Sequence, residues 1–372
     1  MTRFADPTPC ALLRLDMEVC RHIVAVFNVG NCSKCLTKTC KSEATKVKIH
    51  SLVCVHALCI SALFSSIAMG AGAPVGTDAQ SLGLTNLSDD LSRQELFKEL
   101  LPQNAAEKRM YESFAVKNAF KFPADVGYDE ALNQQRKDSL FGVDISHHNG
   151  KNFPIEHLRP NKSLFLYMKA SQGTRFLDPQ FANNWKRAGA AKIHRGAYHF
   201  LSSGEPGQDA TAWGRQQAQT FIKIIKANGG LLGTDMPPAV DVEWDKGSAS
   251  GPDRWSARKP DEIVAMIKAF SQQVELDLGR KPVIYTAHSW WGPRMGGEAS
   301  FSKVADHQLW LADYSAKSQA SEKPRTINKT VWALWQFTDK ARLNSNEALQ
   351  FDASIFKGVP ADFYSTLGVK EF

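Results

Sequence analysis

Cysteine is absent from most of this 372-residue chain, and charge of neither sign dominates it. All seven cysteines lie before residue 60, so residues 61–372 need neither disulfides nor thiol chemistry to fold or act. The chain has 45 Lys and Arg against 38 Asp and Glu, and more than half of the net charge of +7 falls within residues 1–60. Residues 61–372 therefore have nearly equal numbers of basic and acidic residues, which does not favour a nucleic-acid partner.

Residues with metal-ligand character do not form a complete site in the sequence. Cys32, Cys35 and Cys40 have a spacing that zinc sites use, but no second pair of cysteines or histidines completes them. His147 and His148 are adjacent, and neighbouring side chains of an extended segment point to opposite sides. We therefore predict no metal site and no cofactor.

A leader-like pattern occupies residues 47–73. Basic residues precede an uncharged, largely apolar run from Leu52 to Ala68, and small residues follow it. This order is typical of a signal peptide, although a single membrane anchor would also fit. The pattern predicts export, with translation starting near Val47 and residues 1–46 forming a non-native or disordered upstream segment.

Two regions follow the leader. Residues 74–138 are predicted to be a linker with a short helical extension, because apolar residues recur at helical spacing over 92–119 and a second helix fits 126–138. Residues 139–372 are predicted to form the main domain.

Strands alternate with helices in the main domain, as βα-repeats do. The predicted strands cover 141–146, 164–171, 194–201, 238–244, 282–287, 309–315, 332–338 and 351–355, and the predicted helices cover 178–191, 208–228 and 260–279. The last strands leave no room for full helices between them. The pattern therefore predicts an α/β fold, an irregular (β/α) barrel of the TIM type.

The predicted strand over 238–244 ends in two acids. Side chains alternate along a strand, so Asp241 and Glu243 point to the same side, with Cα atoms about 6.6 Å apart. Two carboxyls this close hold their protons unequally, and cleavage of a glycosidic bond uses one protonated and one charged carboxyl. A satisfied structural pair and a metal-dependent nuclease site are the alternatives for this pattern alone.

Several motifs occur in a recognisable order along the main domain. They are Phe141-Gly-Val-Asp-Ile-Ser-His-His-Asn-Gly, Tyr167-Met-Lys-Ala-Ser-Gln-Gly-Thr, Asp178-Pro-Gln-Phe-Ala-Asn-Asn-Trp, Arg195-Gly-Ala-Tyr-His-Phe and Pro238-Ala-Val-Asp-Val-Glu. This order resembles glycoside hydrolase family 25, the Chalaropsis-type lysozymes, over about residues 141–356. Ser171-Gln172-Gly173 departs from the Thr-Glu-Gly that the family usually shows.

The resemblance implies four catalytic acids, namely Asp144, Asp241, Glu243 and Asp352. Glu243 would be the proton donor, and we expect burial beside Trp244 and near Asp241 to raise its pKa. Asp144 and Asp352 are expected to hold hydrogen bonds and to tune the other two. The family's retention of anomeric configuration leaves both a covalent and a neighbouring-group route open.

Polar and aromatic residues close to the ends of the strands are predicted to contact substrate, because the active site of such a barrel lies at those ends. They are Tyr198, His199, Lys169, Tyr285, Trp310, Asp313 and Gln336. The aromatic members could stack on sugar rings or pack in the core. The lysine is predicted to pair with a site carboxylate, and the histidine is either a site residue or a structural one.

These features predict an exported lysozyme, an N-acetylmuramidase that hydrolyses β-1,4 bonds between N-acetylmuramic acid and N-acetylglucosamine. Its partners would be the glycan strands of peptidoglycan, with no nucleic acid and no stable membrane insertion once the leader is removed. We expect a monomer. The alternatives are a chitin-type N-acetylhexosaminidase and a catalytically inactive module that binds cell walls.

Overall fold

The computed structural model describes residues 119–372 except 130–132 and 249, and in addition residues 105, 106 and 109. The segment 1–46, the leader 47–73 and most of the extension 74–138 lie outside the described residues, so the predictions made for them stay predictions. Within the described part of the chain, no helix is both long enough and apolar enough to cross a membrane.

Eight strands form a closed barrel within a mixed α/β fold. In chain order they are β1 (Ser139–Ile145), β2 (Ser163–Gln172), β3 (His194–Phe200), β4 (Ala239–Asp241), β5 (Val283–Ala287), β6 (Leu309–Ala312), β7 (Trp332–Leu343) and β8 (Asn346–Lys357). Each of them overlaps one of the strands predicted from the sequence. The two-residue strand Phe176–Leu177 is an addition that pairs with the end of β2.

The barrel closes through one antiparallel strand. Strands β1 to β7 run parallel to their neighbours in sequence order, and β8 pairs antiparallel with both β7 and β1. Parallel neighbours need a crossover of a dozen or more residues, whereas only residues 344 and 345 separate β7 from β8. This short connection permits a hairpin but no helix, which explains the irregular end of the barrel.

Helices cover the outside of the barrel. The described residues form α1 (Ala124–Gly127), α2 (Ile155–Leu158), α3 (Phe181–Ala190), α4 (Ala210–Ala227), α5 (Pro260–Leu278), α6 (His288–Arg294), α7 (Ala316–Ser321) and α8 (Pro360–Leu367). The three predicted helices are confirmed as α3, α4 and α5. The apolar face of α5 is buried against the sheet, as its helical spacing requires.

The helix predicted over 126–138 is wrong. Helix α1 ends at Gly127, and two-residue strands, Tyr128–Asp129 and Gln134–Gln135, follow it and pair antiparallel. Asn133 and Asp138 have φ values of 51° and 54°, which a helix cannot continue through. This segment also buries few side chains, so an apolar helical face has nothing to pack against.

Aromatic side chains fill the barrel interior beneath its carboxyl-terminal end. The Trp310 ring lies 4.6 Å from the Tyr167 ring and 5.0 Å from the Tyr285 ring, and its Nε1 donates to Ser354 Oγ at 3.0 Å. A Cβ at Gly196 would approach the Tyr167 ring to 2.4 Å, so glycine there makes room for the ring. The polar residues above this layer therefore rest on a packed aromatic floor.

Candidate active site

Three of the four predicted acids lie on the inner face of the barrel. Asp144 on β1 pairs directly with Asp352 on β8, and side chains of such antiparallel partners share one side of the sheet. Asp241 ends β4 and is in register with Tyr285, whose ring is inside the barrel. All three side chains are buried. The strands thus bring together acids that are more than two hundred residues apart in the sequence.

A hydrogen-bond network fixes the orientation of Asp144. Gln336 Nε2 donates to Asp144 Oδ2 at 2.8 Å, which leaves Gln336 Oε1 as an acceptor. That oxygen accepts from the Tyr285 hydroxyl at 2.7 Å and from the Tyr314 hydroxyl at 2.5 Å. With two donors on its oxygen, the amide of Gln336 can present only its nitrogen to Asp144.

Tyr314 is a site residue that the sequence reasoning missed. It follows β6, and alternation places it on the same side as Trp310 and Ala312, which face inward. Asp313, which was predicted instead, points to the other side. The sequence could have identified Tyr314, because alternation along this strand places residues 310, 312 and 314 on one side and residues 311 and 313 on the other.

Glu243 lies two residues beyond the end of β4 and is 1% exposed. Trp255 Nε1 donates to the Glu243 carbonyl at 2.8 Å, and the backbone nitrogen of the preceding residue, Val242, donates to the Tyr285 carbonyl at 2.9 Å. Glu243 therefore occupies a fixed connection at the same end of the barrel as Asp241.

A buried acid holds the loop that follows Glu243. Asp245 Oδ2 accepts from Ser203 N and from Ser203 Oγ, both at 2.8 Å, while Oδ1 lies 2.8 Å from an Arg254 guanidinium nitrogen. Asp253 accepts from the backbone nitrogens of Asp245 and Trp255 at 3.1 and 3.2 Å. Burial raises the pKa of Asp253, and the nearby Arg294 opposes that shift.

Lys169 on β2 is buried beside aromatic rings. Its ammonium donates to Gln172 Oε1 at 2.7 Å and lies 5.1 Å from the Phe200 ring centre and 5.4 Å from that of Phe176. Its predicted pairing with a site carboxylate stays a prediction. Tyr198 on β3 is in register with Lys169 and is equally buried, so the two lie next to each other inside the barrel.

The structure places His199 on the outside of the barrel, away from the acids. Its ring stacks on Phe270 at 5.0 Å, and its nitrogens lie 2.8 Å from Ser171 Oγ and 3.2 Å from Gln217 Oε1. Burial lowers the pKa of His199 to about 3, so the ring stays neutral at ordinary pH. This position argues against the predicted sugar contact and for the structural alternative.

Trp310 and Asp313 are also in contact with other side chains of the protein. Trp310 belongs to the aromatic floor and is 1% exposed, so its faces already pack against protein rings. Asp313 accepts from Ser318 Oγ at 2.6 Å and from Arg325 N at 2.7 Å. Burial alone would raise the pKa of Asp313, but Arg325 and these hydrogen bonds outweigh it and lower that pKa.

The expectation that His147 and His148 point apart is wrong. Residues His147–Asn149 form a short 3-10 helix, and the two rings lie 4.0 Å apart. His147 Nδ1 and N both contact Asp178 Oδ2, at 2.9 and 2.8 Å. Among the described residues, no group of three or more His, Cys, Asp or Glu is arranged to hold a metal ion.

A groove of about 680 Å³ opens at this end of the barrel. Three loops line it: residues 172–176 after β2, residues 202–208 after β3 and residues 252–257 in the β4–α5 connection. Its size is in the range of clefts that hold small molecules. Gln172, which Lys169 contacts, and Arg254, which Asp245 holds, both belong to its walls.

The chain is similar to known proteins over this barrel. The family model described as Glycosyl hydrolases family 25 matches residues 143–346. N,O-diacetylmuramidase of Chalaropsis sp. is 32% identical over 174 residues, which are 45% of this chain and 75% of that protein. An uncharacterized Escherichia coli K12 protein, YegX, is 24% identical over 208 residues, and the chain spans 64% of its length.

A solved structure agrees with these sequence matches. The bacterial lysozyme from Streptomyces coelicolor superposes with a TM-score of 0.51 at 25% identity, over 62% of this chain and 97% of that chain. Asp144, Asp241 and Glu243 lie within the residues that the family model matches, whereas Asp352 lies just beyond them and is placed by its register with Asp144. The chain belongs to glycosyl hydrolase family 25.

Proposed function

We propose that this protein is a lysozyme that hydrolyses the β-1,4 bond between N-acetylmuramic acid and N-acetylglucosamine in peptidoglycan. The observation that carries the proposal is the convergence of acids at one end of a family 25 barrel. Asp144, Asp241 and Asp352 share its inner face, and Glu243 follows Asp241 by two residues. The names of the Chalaropsis and Streptomyces relatives support the same substrate class.

Glu243 is the general acid in this proposal. Asp241 and Glu243 are both 1% exposed and lie two residues apart, so one of the two carboxyls is suited to hold a proton, and the family resemblance assigns the proton, and its donation to the departing sugar oxygen, to Glu243. Asp241 stays charged and either stabilises the oxocarbenium-like transition state or orients the 2-acetamido group of the muramic acid. Asp144 and Asp352 act as positioning residues.

The proposal is tested with the isosteric variant Glu243→Gln, which keeps the shape of the side chain but cannot donate the proton. We expect its turnover of purified cell walls to fall by at least about a hundredfold, since general acid catalysis contributes that much or more. Glu275→Gln on the exposed face of α5 is the matched control and should keep wild-type activity.

Mass spectrometry of the products identifies the bond. New reducing ends on N-acetylmuramic acid support the proposal, whereas cleavage of chitin without cleavage of peptidoglycan selects the hexosaminidase alternative. Binding to walls without any product selects the inactive module. Near wild-type activity of Glu243→Gln removes this residue from the mechanism.

We propose further that the protein is exported, because its substrate lies outside the cytoplasmic membrane. The leader 47–73 supports this, with cleavage after Ala71 or Ala73 and translation starting near Val47. N-terminal sequencing of the mature protein tests both points. A mature chain that retains Cys32 and Cys40 contradicts them.

A further inference from the structure

The groove between the three loops adjoins the candidate active site through residues of its first and third walls. Gln172 in its first wall receives a hydrogen bond from Lys169 on the inner face of the barrel. In its third wall, Arg254 and Ser256 flank Trp255, the residue that holds the Glu243 carbonyl. A molecule bound in this groove lies beside the candidate active site.

The second wall of the groove is rigid. The buried guanidinium of Arg258 donates to the backbone carbonyls of Ser203, Glu205 and Gln208, at 3.0, 2.9 and 2.5 Å. Trp213 Nε1 donates to the Ser202 carbonyl at 2.9 Å. The backbone at Glu205 is thus fixed, while its carboxylate stays exposed at the edge of the groove.

Four charged side chains line the groove, and two of them form ion pairs with other residues of the protein. Asp253 pairs with Arg294 at 3.1 Å, and Arg254 pairs with Asp245 at 2.8 Å. Within the described part of the chain, the other two, Arg175 and Glu205, form no ion pair with each other or with any other side chain. They stand on separate walls and present opposite charges to the opening.

We infer that this groove binds the short peptide that muramic acid carries in peptidoglycan, with Arg175 contacting a peptide carboxylate and Glu205 a peptide ammonium group. The inference rests on the proposed function. The sugar backbone offers hydroxyl and acetamido groups, whereas the peptide carries both carboxylates and an amine. A guanidinium matches a carboxylate in two parallel hydrogen bonds, and a fixed glutamate suits an ammonium donor.

The test compares two substrates with and without the peptide. One is soluble glycan strands that carry intact peptides, and the other is the same strands after an amidase has removed the peptides. The variants are Arg175→Gln, Glu205→Gln and the double variant, with Lys268→Gln on the exposed face of α5 as the charge-matched control. kcat and KM are measured for each pair.

On peptide-bearing strands we expect KM to rise about threefold in each single variant and about tenfold in the double variant, with kcat unchanged, because partly exposed ion pairs contribute modestly. On peptide-free strands all variants should match the wild type. Equal KM values for wild type and variants on peptide-bearing strands overturn the inference.

An equal loss on both substrates also overturns it, because the groove then binds the glycan itself. If the wild type cleaves neither substrate, the proposed function fails, and that result differs from both of the outcomes above.

Discussion

The network around Gln336 predicts a large loss of stability when its amide is removed. Gln336→Leu keeps most of the side-chain volume but deletes one donor to Asp144 and one acceptor shared by Tyr285 and Tyr314. All four residues are buried, so water cannot replace the lost partners without opening the barrel.

The magnitude follows from the three hydrogen bonds. A neutral bond contributes about 1 kcal/mol and a bond to a charged group about 2 kcal/mol. Asp144, Tyr285 and Tyr314 have other interactions too, so the full penalty of leaving them unsatisfied does not apply. We expect Gln336→Leu to lower the free energy of unfolding by about 4 kcal/mol, a large share of the stability of an ordinary domain.

Urea denaturation followed by tryptophan fluorescence measures this loss. Tyr314→Phe removes one bond and should cost about 1 kcal/mol, while Gln216→Leu on the exposed face of α4 is the control and should stay within about 0.5 kcal/mol of wild type. A loss below about 1 kcal/mol for Gln336→Leu would refute the reasoning, because the network would then add little to folding.

Two further predictions concern His199 and Trp310, whose rings pack against other side chains of the protein. Burial lowers the pKa of His199 to about 3, whereas a histidine in the unfolded chain has a pKa near 6.5, so the unfolded chain binds the proton more tightly. As the pH falls from about 6.5 toward 3, the free energy of unfolding should therefore decrease by up to about 1.4 kcal/mol per pH unit because of His199. Urea unfolding of His199→Gln between pH 7 and 4 should show a shallower decline than wild type, and an unchanged slope contradicts the assignment. Trp310→Phe should cost about 2 kcal/mol of unfolding free energy and leave KM within about twofold, since Trp310 is a floor residue; unchanged stability with a raised KM would identify it as a sugar platform instead.

The strands of the barrel could be predicted because they are buried on both faces. Parallel strands covered by helices are almost continuous apolar runs, and β2 and β5 stand out for that reason. Because both faces of such a strand are apolar, the sequence does not show which residues point into the barrel and which point toward the helices. Tyr198 and His199 are adjacent, both buried and both polar at one end, so only the packed barrel separates the inner residue from the outer one.

The candidate catalytic acids were easier to predict than the residues that form hydrogen bonds with them. Asp241 and Glu243 lie two residues apart on one short segment, so the sequence itself shows that they are close, although β4 ends at Asp241 and strand alternation does not extend to Glu243. Gln336 was predicted to contact substrate, and that stays a prediction; its hydrogen bond to Asp144 crosses 192 positions of sequence and depends on closure of the barrel. The segment near 126–138 failed for a different reason: local helical spacing was overridden by residues with positive φ and by shallow burial.

Closure by the final antiparallel strand has a consequence for synthesis in the cell. The first barrel strand emerges from the ribosome about 200 residues before its partner β8, which at typical translation speeds is a delay of roughly 10–40 s. Throughout that interval the outer edge of β1 lacks the neighbour that β8 later supplies, and exposed edges invite pairing with other chains. Nascent chains are therefore most vulnerable to aggregation just before their last strand is made, which makes a chaperone that shields strand edges most useful at that moment.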